Sequence, residues 1–209
     1  MATLRRIGCV LLFGAAITAG NFASAADGYR VLHNFNGGDG SFPSGNLVLD
    51  DAGNLYGTTP LGGTFGNGAV FKLNSSGRFT LSYSFTGGND GGDPEAGLAI
   101  DPATGDLYGT TTQGGRLGHG GIFRLTPGGD LAVLHDFNGD SDGIIPLAAL
   151  MRDRVGDFFG TTNQDGPAGG GTVFELASDG TFRVLHALAG GDGGEPMGRL
   201  ARNGSDLYG

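Results

Sequence analysis

Tryptophan is absent from this chain, and its single cysteine, Cys9, lies within the first ten residues. Beyond that point no thiol exists to form a disulfide, to hold zinc through sulfur or to act as a nucleophile. Positive charge is scarce too: 12 lysines and arginines stand against 21 aspartates and glutamates, for a formal charge of −9. A surface of that sign repels phosphate backbones and anionic headgroups, which excludes nucleic acid as a partner and leaves cations and neutral polymers open. Long apolar runs are missing as well, and residues 10–17 form a stretch too short to span a bilayer. That stretch lies between Arg5-Arg6 and Ala23-Ser24-Ala25, the layout of an export signal cleaved after Ala25. Cys9 follows Arg6-Ile7-Gly8 and lacks the context of a lipid-attachment site. Loss of residues 1–25 takes the charge to −11 and predicts an extracellular or cell-surface protein, with the periplasm as the other location.

Glycine is abundant, 45 of 209 residues, and has no Gly-X-Y period, so collagen is excluded. Regular clusters of Val, Leu, Ile and Phe between the glycines argue for buried strands against disorder. The dominant feature is a repeat. Asn54-Leu55-Tyr56-Gly57-Thr58-Thr59 recurs as Asp106-Leu107-Tyr108-Gly109-Thr110-Thr111, as Asp157-Phe158-Phe159-Gly160-Thr161-Thr162, and in part as Asp206-Leu207-Tyr208-Gly209. Prolines 43, 94, 146 and 196 follow each other at spacings of 51, 52 and 50. Units of this length are supersecondary elements that cannot bury an apolar face alone.

Each unit reads as four short strands. Strand a starts at Leu47, Leu98, Leu150 and Leu200, and a turn with Gly53, Gly105, Gly156 or Gly204 leads to strand b, the Leu-Tyr-Gly-Thr-Thr element. Its glycine allows a neighbouring ring or backbone to approach closely. Glycine-rich loops over 60–68, 112–120 and 163–171 lead to strand c, in which Val70-Phe71, Ile122-Phe123 and Val173-Phe174 sit in half-buried alternation. Strand d covers 79–85, 131–137 and 182–188 and ends in an Asp-Gly turn before the proline. Residues 29–35 are an orphan copy of strand d. No amphipathic helix of ordinary length follows the leader.

Four consecutive antiparallel strands per unit predict an all-β fold, a β-propeller with blades of about fifty residues, over a solenoid coil. The domain reading is a leader over 1–25 and one repeat domain over 26–209. Within it lie the orphan strand region 29–46, repeats 47–97, 98–149 and 150–199, and an incomplete repeat 200–209. Joining the ends would still leave one strand c missing, so the propeller is expected to be partial, open or truncated. Such an arc is expected to self-associate through its unpaired edges.

The pattern Asp-x-x-Gly-Asn-Leu-Tyr-Gly-Thr-Thr, then Gly-x-Val-Phe-Lys-Leu and Phe-x-Gly-x-x-Asp-Gly-x-x-Pro, resembles the GloVer (Gloeobacter/Verrucomicrobia-type) tandem repeat of exported bacterial proteins. The likeness covers residues 29–209, with Phe158-Phe159 and Gln164-Asp165-Gly166 departing from it. It implies an exported multi-repeat protein and no particular activity. A more distant likeness to NHL-type propellers is one of fold alone.

His33, His135 and His186 share one slot of strand d, with Tyr83 in the remaining copy. They read as packed or hydrogen-bonded side chains, because one histidine per strand is a poor coordination set. His119 sits alone in a glycine loop. Asn138-Gly139-Asp140-Ser141-Asp142-Gly143 has oxygen ligands at alternate positions, as a calcium loop does, but Ala149 stands where the closing glutamate belongs. Asp39, Asp90 and Asp192 keep one fixed carboxylate each. The loop 62–68 lacks the Lys-Ser/Thr and helix of a phosphate cradle. No catalytic, cofactor-binding or metal-ligating residue is assigned, and no cofactor. Copies that agree at nearly every polar position favour a structural or binding module with an unknown extracellular ligand or surface polymer. The rival readings are a propeller lyase or hydrolase with its site at the blade mouth and a calcium-stabilised adhesin module.

Overall fold

The computed structural model describes residues 30–209, so the expected export signal over 1–25 lies outside the described residues. The chain divides into two compact units, residues 1–34 and 35–209. Of the first unit only residues 30–34 are described, and they hold no regular element. All the strands belong to the second unit.

Strands β1 (Val48–Leu49), β2 (Leu55–Thr59), β3 (Ala69–Leu73) and β4 (Phe79–Ser84) form one antiparallel sheet in chain order. Strands β5 (Ala99–Ile100), β6 (Leu107–Thr111), β7 (Gly121–Leu125) and β8 (Leu131–Asp136) form the second. Strands β9 (Met151–Arg152), β10 (Phe158–Thr162), β11 (Thr172–Leu176) and β12 (Phe182–Ala187) form the third, and β13 (Ala201–Asn203) pairs with β14 (Asp206–Tyr208) alone. These are the expected strands a to d in each unit, and among the described residues there is no helix. Registers repeat as well: Tyr56 faces Lys72, Tyr108 faces Arg124 and Phe159 faces Glu175. A bulge falls at the same step of every third strand, after Val70, Ile122 and Val173. The fold is thus a partial propeller of three full blades and the two-stranded start of a fourth.

The orphan strand differs from expectation. Residues 30–36 carry no strand ladder. A strand forms by pairing, and each strand c of the second unit is already flanked on both sides by its own blade's strands.

Alternation along the strands gives every blade two apolar faces, and the core lies between blades. Val70 and Phe85 of the first blade pack with Leu98, Leu107, Phe123 and Leu125 of the second. Ile122 and Phe137 of the second pack with Leu150, Phe158, Phe174 and Leu176 of the third. Met151 and Phe159 of the third pack with Leu200, and Val173 and Leu207 close against them. The first blade's remaining face is covered by Phe35, whose ring meets Phe71 edge-on at 5.0 Å and Phe79 at 5.8 Å.

The glycine of each Leu-Tyr-Gly element is set by this packing. A Cβ at Gly57 would lie 2.6 Å from the Phe71 ring, at Gly109 2.6 Å from Phe123, and at Gly160 2.5 Å from Phe174. In each blade a leucine, Leu47, Leu98 or Leu150, closes in from the same side. The ring tip of strand c therefore abuts strand b, where only a hydrogen fits. Gly109→Ala is expected to cost about 1–3 kcal/mol by overpacking, seen as a lower urea midpoint at unchanged slope; an unaltered midpoint would show that the ring has room to move.

Candidate functional site

In an up-and-down meander the b–c loops and the d–a connections emerge at one end of the blades, and the a–b and c–d turns at the other. The turn end carries a repeated polar frame. Asp50, Asp101 and Asp153 each accept backbone N–H groups of their own a–b turn, as residues of this type do when they cap a turn. Neighbouring blades are tied there by ion pairs, Arg152 to Asp101 at 3.1 Å and Arg202 to Asp153.

The loop end is built three times from the same bonds. The aspartates of three Asp-Gly turns are held by the side chain in the shared slot of strand d: Tyr83 donates to Asp90 at 3.0 Å, His135 Nε2 lies 2.7 Å from Asp142, and His186 Nε2 lies 2.6 Å from Asp192. The same aspartates accept a backbone N–H, from Thr86, Asn138 and Ala189. Burial together with the Asp90 carboxylate pushes the Tyr83 hydroxyl up to about 12. Asp192 is held below the usual carboxylate range by the Ala189 N–H and by His186. The histidines therefore do not form a ring: His135 bonds its own turn and stacks on Phe182 of the next blade at 3.6 Å. In the loop 138–143, both Asp142 oxygens are occupied by protein groups, and Asn138 Oδ1 accepts the Ser141 N–H. Among the described residues no group of three or more histidine, cysteine or acidic side chains is placed to hold a metal. His33 lies in residues 30–34, outside any strand, and His119 is exposed at a loop tip.

The glycine after Asp39, Asp90 and Asp142 packs on the second threonine of a strand b. A Cβ on Gly40, Gly91 or Gly143 would fall 2.5, 2.3 or 2.0 Å from the hydroxyl of Thr59, Thr111 or Thr162. Beyond it the connection pairs with the start of the b–c loop: the Ser41, Gly92 and Ile144 N–H groups donate to Leu61, Gln113 and Gln164 at 2.8, 2.9 and 2.8 Å. The next residue is forced left-handed although it is not glycine. Phe42, Asp93, Ile145 and Glu195 have φ of 57°, 55°, 58° and 51°, each directly before its proline. This conformation is strained, above all for the β-branched Ile145. The strain recurs in every copy, and the side chain that it presents differs in every copy.

One junction stands apart. Asp93 accepts a hydrogen bond from Gln113 Nε2 at 2.9 Å, and Glu95 lies two residues on. Burial raises the Asp93 carboxyl above its ordinary value, with the Gln113 bond pulling the other way, and burial plus the Asp93 charge raise Glu95. Asp93 and Gln113 line a small cleft between the loops 60–68 and 112–120. Sequence reasoning passed over this pair. The signal available was the alternation Phe42, Asp93, Ile145, Glu195 in a slot flanked by constant residues.

A profile of the Gloeobacter/Verrucomicrobia repeat matches residues 18–209. No curated protein matches the chain. A solved structure of a gluconolactonase from Xanthomonas campestris is 17% identical with a TM-score of 0.50, covering 74% of this chain and 48% of that one. A second, described as a candidate gluconolactonase, is 20% identical with a TM-score of 0.45 and coverages of 78% and 53%. The chain thus spans about half the length of the solved structures it matches. At such identity the first likeness shows the fold, a β-propeller, and nothing further.

Two measurements check this geometry. Asp142→Ala removes a buried acceptor of two bonds and is expected to cost about 2 kcal/mol, more than Asp192→Ala at its exposed counterpart; equal losses in denaturant titrations would refute the clamp. Because the raised Asp93 carboxyl binds its proton more tightly folded than unfolded, its contribution to stability falls as pH rises from the ordinary value of 3.8 through the raised one. Asp93→Asn should therefore gain in melting temperature relative to the parent chain as pH rises through that window, and parallel curves would sink the assignment.

Proposed function

The chain belongs to the Gloeobacter/Verrucomicrobia repeat family, and from that premise we propose that it is an exported, multivalent binding and structural module acting at the cell surface. The observation that carries this reading is the recurrence of one loop-end junction around a variable left-handed side chain, at 42, 93, 145 and 195, with the same loop pairing around the first three. A constant scaffold that presents varied contacts at regular spacing suits an extended partner better than a single reacting atom, since linked weak contacts gain by effective concentration. The acidic charge supports an uncharged partner over nucleic acid or an anionic surface. Self-association fits the same reading, as the first blade leaves Leu47 and Leu49 exposed at its inner strand.

A second reading, a hydrolase, is favoured by one observation: Asp93 and Glu95 break the repeat with two adjacent carboxyls of raised pKa. Gluconolactone is the substrate to try, given the name of the structural neighbour. The purified chain should co-sediment with isolated envelope fragments of the producing bacterium and leave glucono-1,5-lactone hydrolysis at the buffer rate. Lactone turnover that Asp93→Asn abolishes, with no retention on envelope, would replace the binding module with the hydrolase.

A further inference from the structure

We propose that the cleft between the loops 60–68 and 112–120 is a subsite for a neutral, hydroxyl-rich ligand of the carbohydrate class. The proposal rests on the binding-module reading and gives it a ligand chemistry. The cleft is about 100 Å3 and is lined by Leu61, Asn67, Asp93 and Gln113 together with four glycines. Glycine lining brings backbone to the surface and lets a flat molecule approach it.

The chemistry follows from the Asp93–Gln113 pair. The carboxylate Oδ2 takes one hydrogen of the Gln113 amide at 2.9 Å, which leaves Oδ1 as an acceptor and the second amide hydrogen as a donor, side by side. An anion is repelled by the carboxylate. A bare cation is opposed by the amide hydrogens beside it. A hydroxyl group both donates and accepts, and adjacent hydroxyls on a sugar ring are separated by about one hydrogen-bond length, so the pair is matched to a diol. At the rim Leu61 is 46% exposed and Phe65, next to the lining Gly66, is 58% exposed. These supply the apolar contact that a sugar's C–H face requires, and pockets that combine a few polar groups with apolar walls are the usual form of small-molecule sites.

The backbone explains why the pair is available. Asp93 is held left-handed by its N–H to Asn67 O at 2.9 Å and by its own carbonyl, which accepts from Thr112 N and Oγ1 at 3.2 and 3.0 Å. Fixed at both ends, its side chain is directed at the adjacent loop. Two junctions on, an open groove of about 500 Å3 carries Glu195 in the place of Asp93, with no counterpart of Gln113 among its lining residues. Two acidic slots separated by the apolar Ile145 slot give an oligomeric ligand more than one foothold.

The test is calorimetric titration of the full chain with cellohexaose and maltohexaose, beside hexagalacturonate and calcium chloride. At least one neutral hexasaccharide is expected to bind, and Asp93→Ala and Gln113→Ala are each expected to weaken it about tenfold. Melting curves confirm that the variants fold; Gln113→Ala, an exposed side chain, keeps the test open if Asp93→Ala does not. Failure of both neutral sugars to bind overturns the proposal, as does equal binding by wild type and variants, or calcium binding that Asp93→Ala removes. Retention on envelope fragments that the two variants leave unchanged would sink this cleft alone and keep the binding module. Loss of all binding by the wild-type chain would sink both.

Discussion

Val70 and Phe85 are fully buried only because Leu98, Leu107, Phe123 and Leu125 of the next blade lie over them. A blade on its own would leave one of its two apolar faces in water. At about 2 kcal/mol for each large side chain buried, the face given to a neighbour decides whether fifty residues can meet the entropy of ordering them, which runs at about 1–2 kcal/mol per residue. The ring of strand c lying on a bare glycine of strand b follows from the same need for close approach. The Arg152–Asp101 and Arg202–Asp153 ion pairs join neighbouring sheets at the turn end.

Much of this was legible in the sequence because it is periodic. Strand order and the role of Gly57, Gly109 and Gly160 could be read from alternation and spacing, since each depends on residues within one unit or on a copy of that unit. The orphan strand over 29–35 was the exception: the local pattern was right, yet a strand requires an open partner edge, and that is a property of the assembled sheets. The histidine slot and the Asp-Gly turn were both visible and were read apart. His135 and Asp142 are seven positions apart, and only the turn between them brings Nε2 within 2.7 Å of the carboxylate.

The candidate site was the least legible part, for a physical reason. A sequence shows conformation through glycine, and the left-handed residues directly before the prolines are Phe42, Asp93, Ile145 and Glu195. Nothing in those residue types announces positive φ. The proline that follows argues against a helical conformation at each of them. The strain is imposed by bonds from the two flanking loops, and it became visible only when the loops were in place.

That imposed strain falls on residues that keep their side chains. If the slot served backbone geometry alone, glycine would relieve it in every copy at no steric cost, and this chain spends glycine freely at neighbouring positions. Side chains are kept there instead, at a cost of order 1 kcal/mol or more each, and they alternate between apolar and acidic. Packing between blades makes the copies alike wherever a side chain enters the core or the paired loop edges, as the clamped aspartates and buried threonines do. Residues 42, 93, 145 and 195 lie outside that packing, and there the copies differ. The Asp93–Gln113 pair bridges two loops and lines a cleft while contributing nothing to the apolar core.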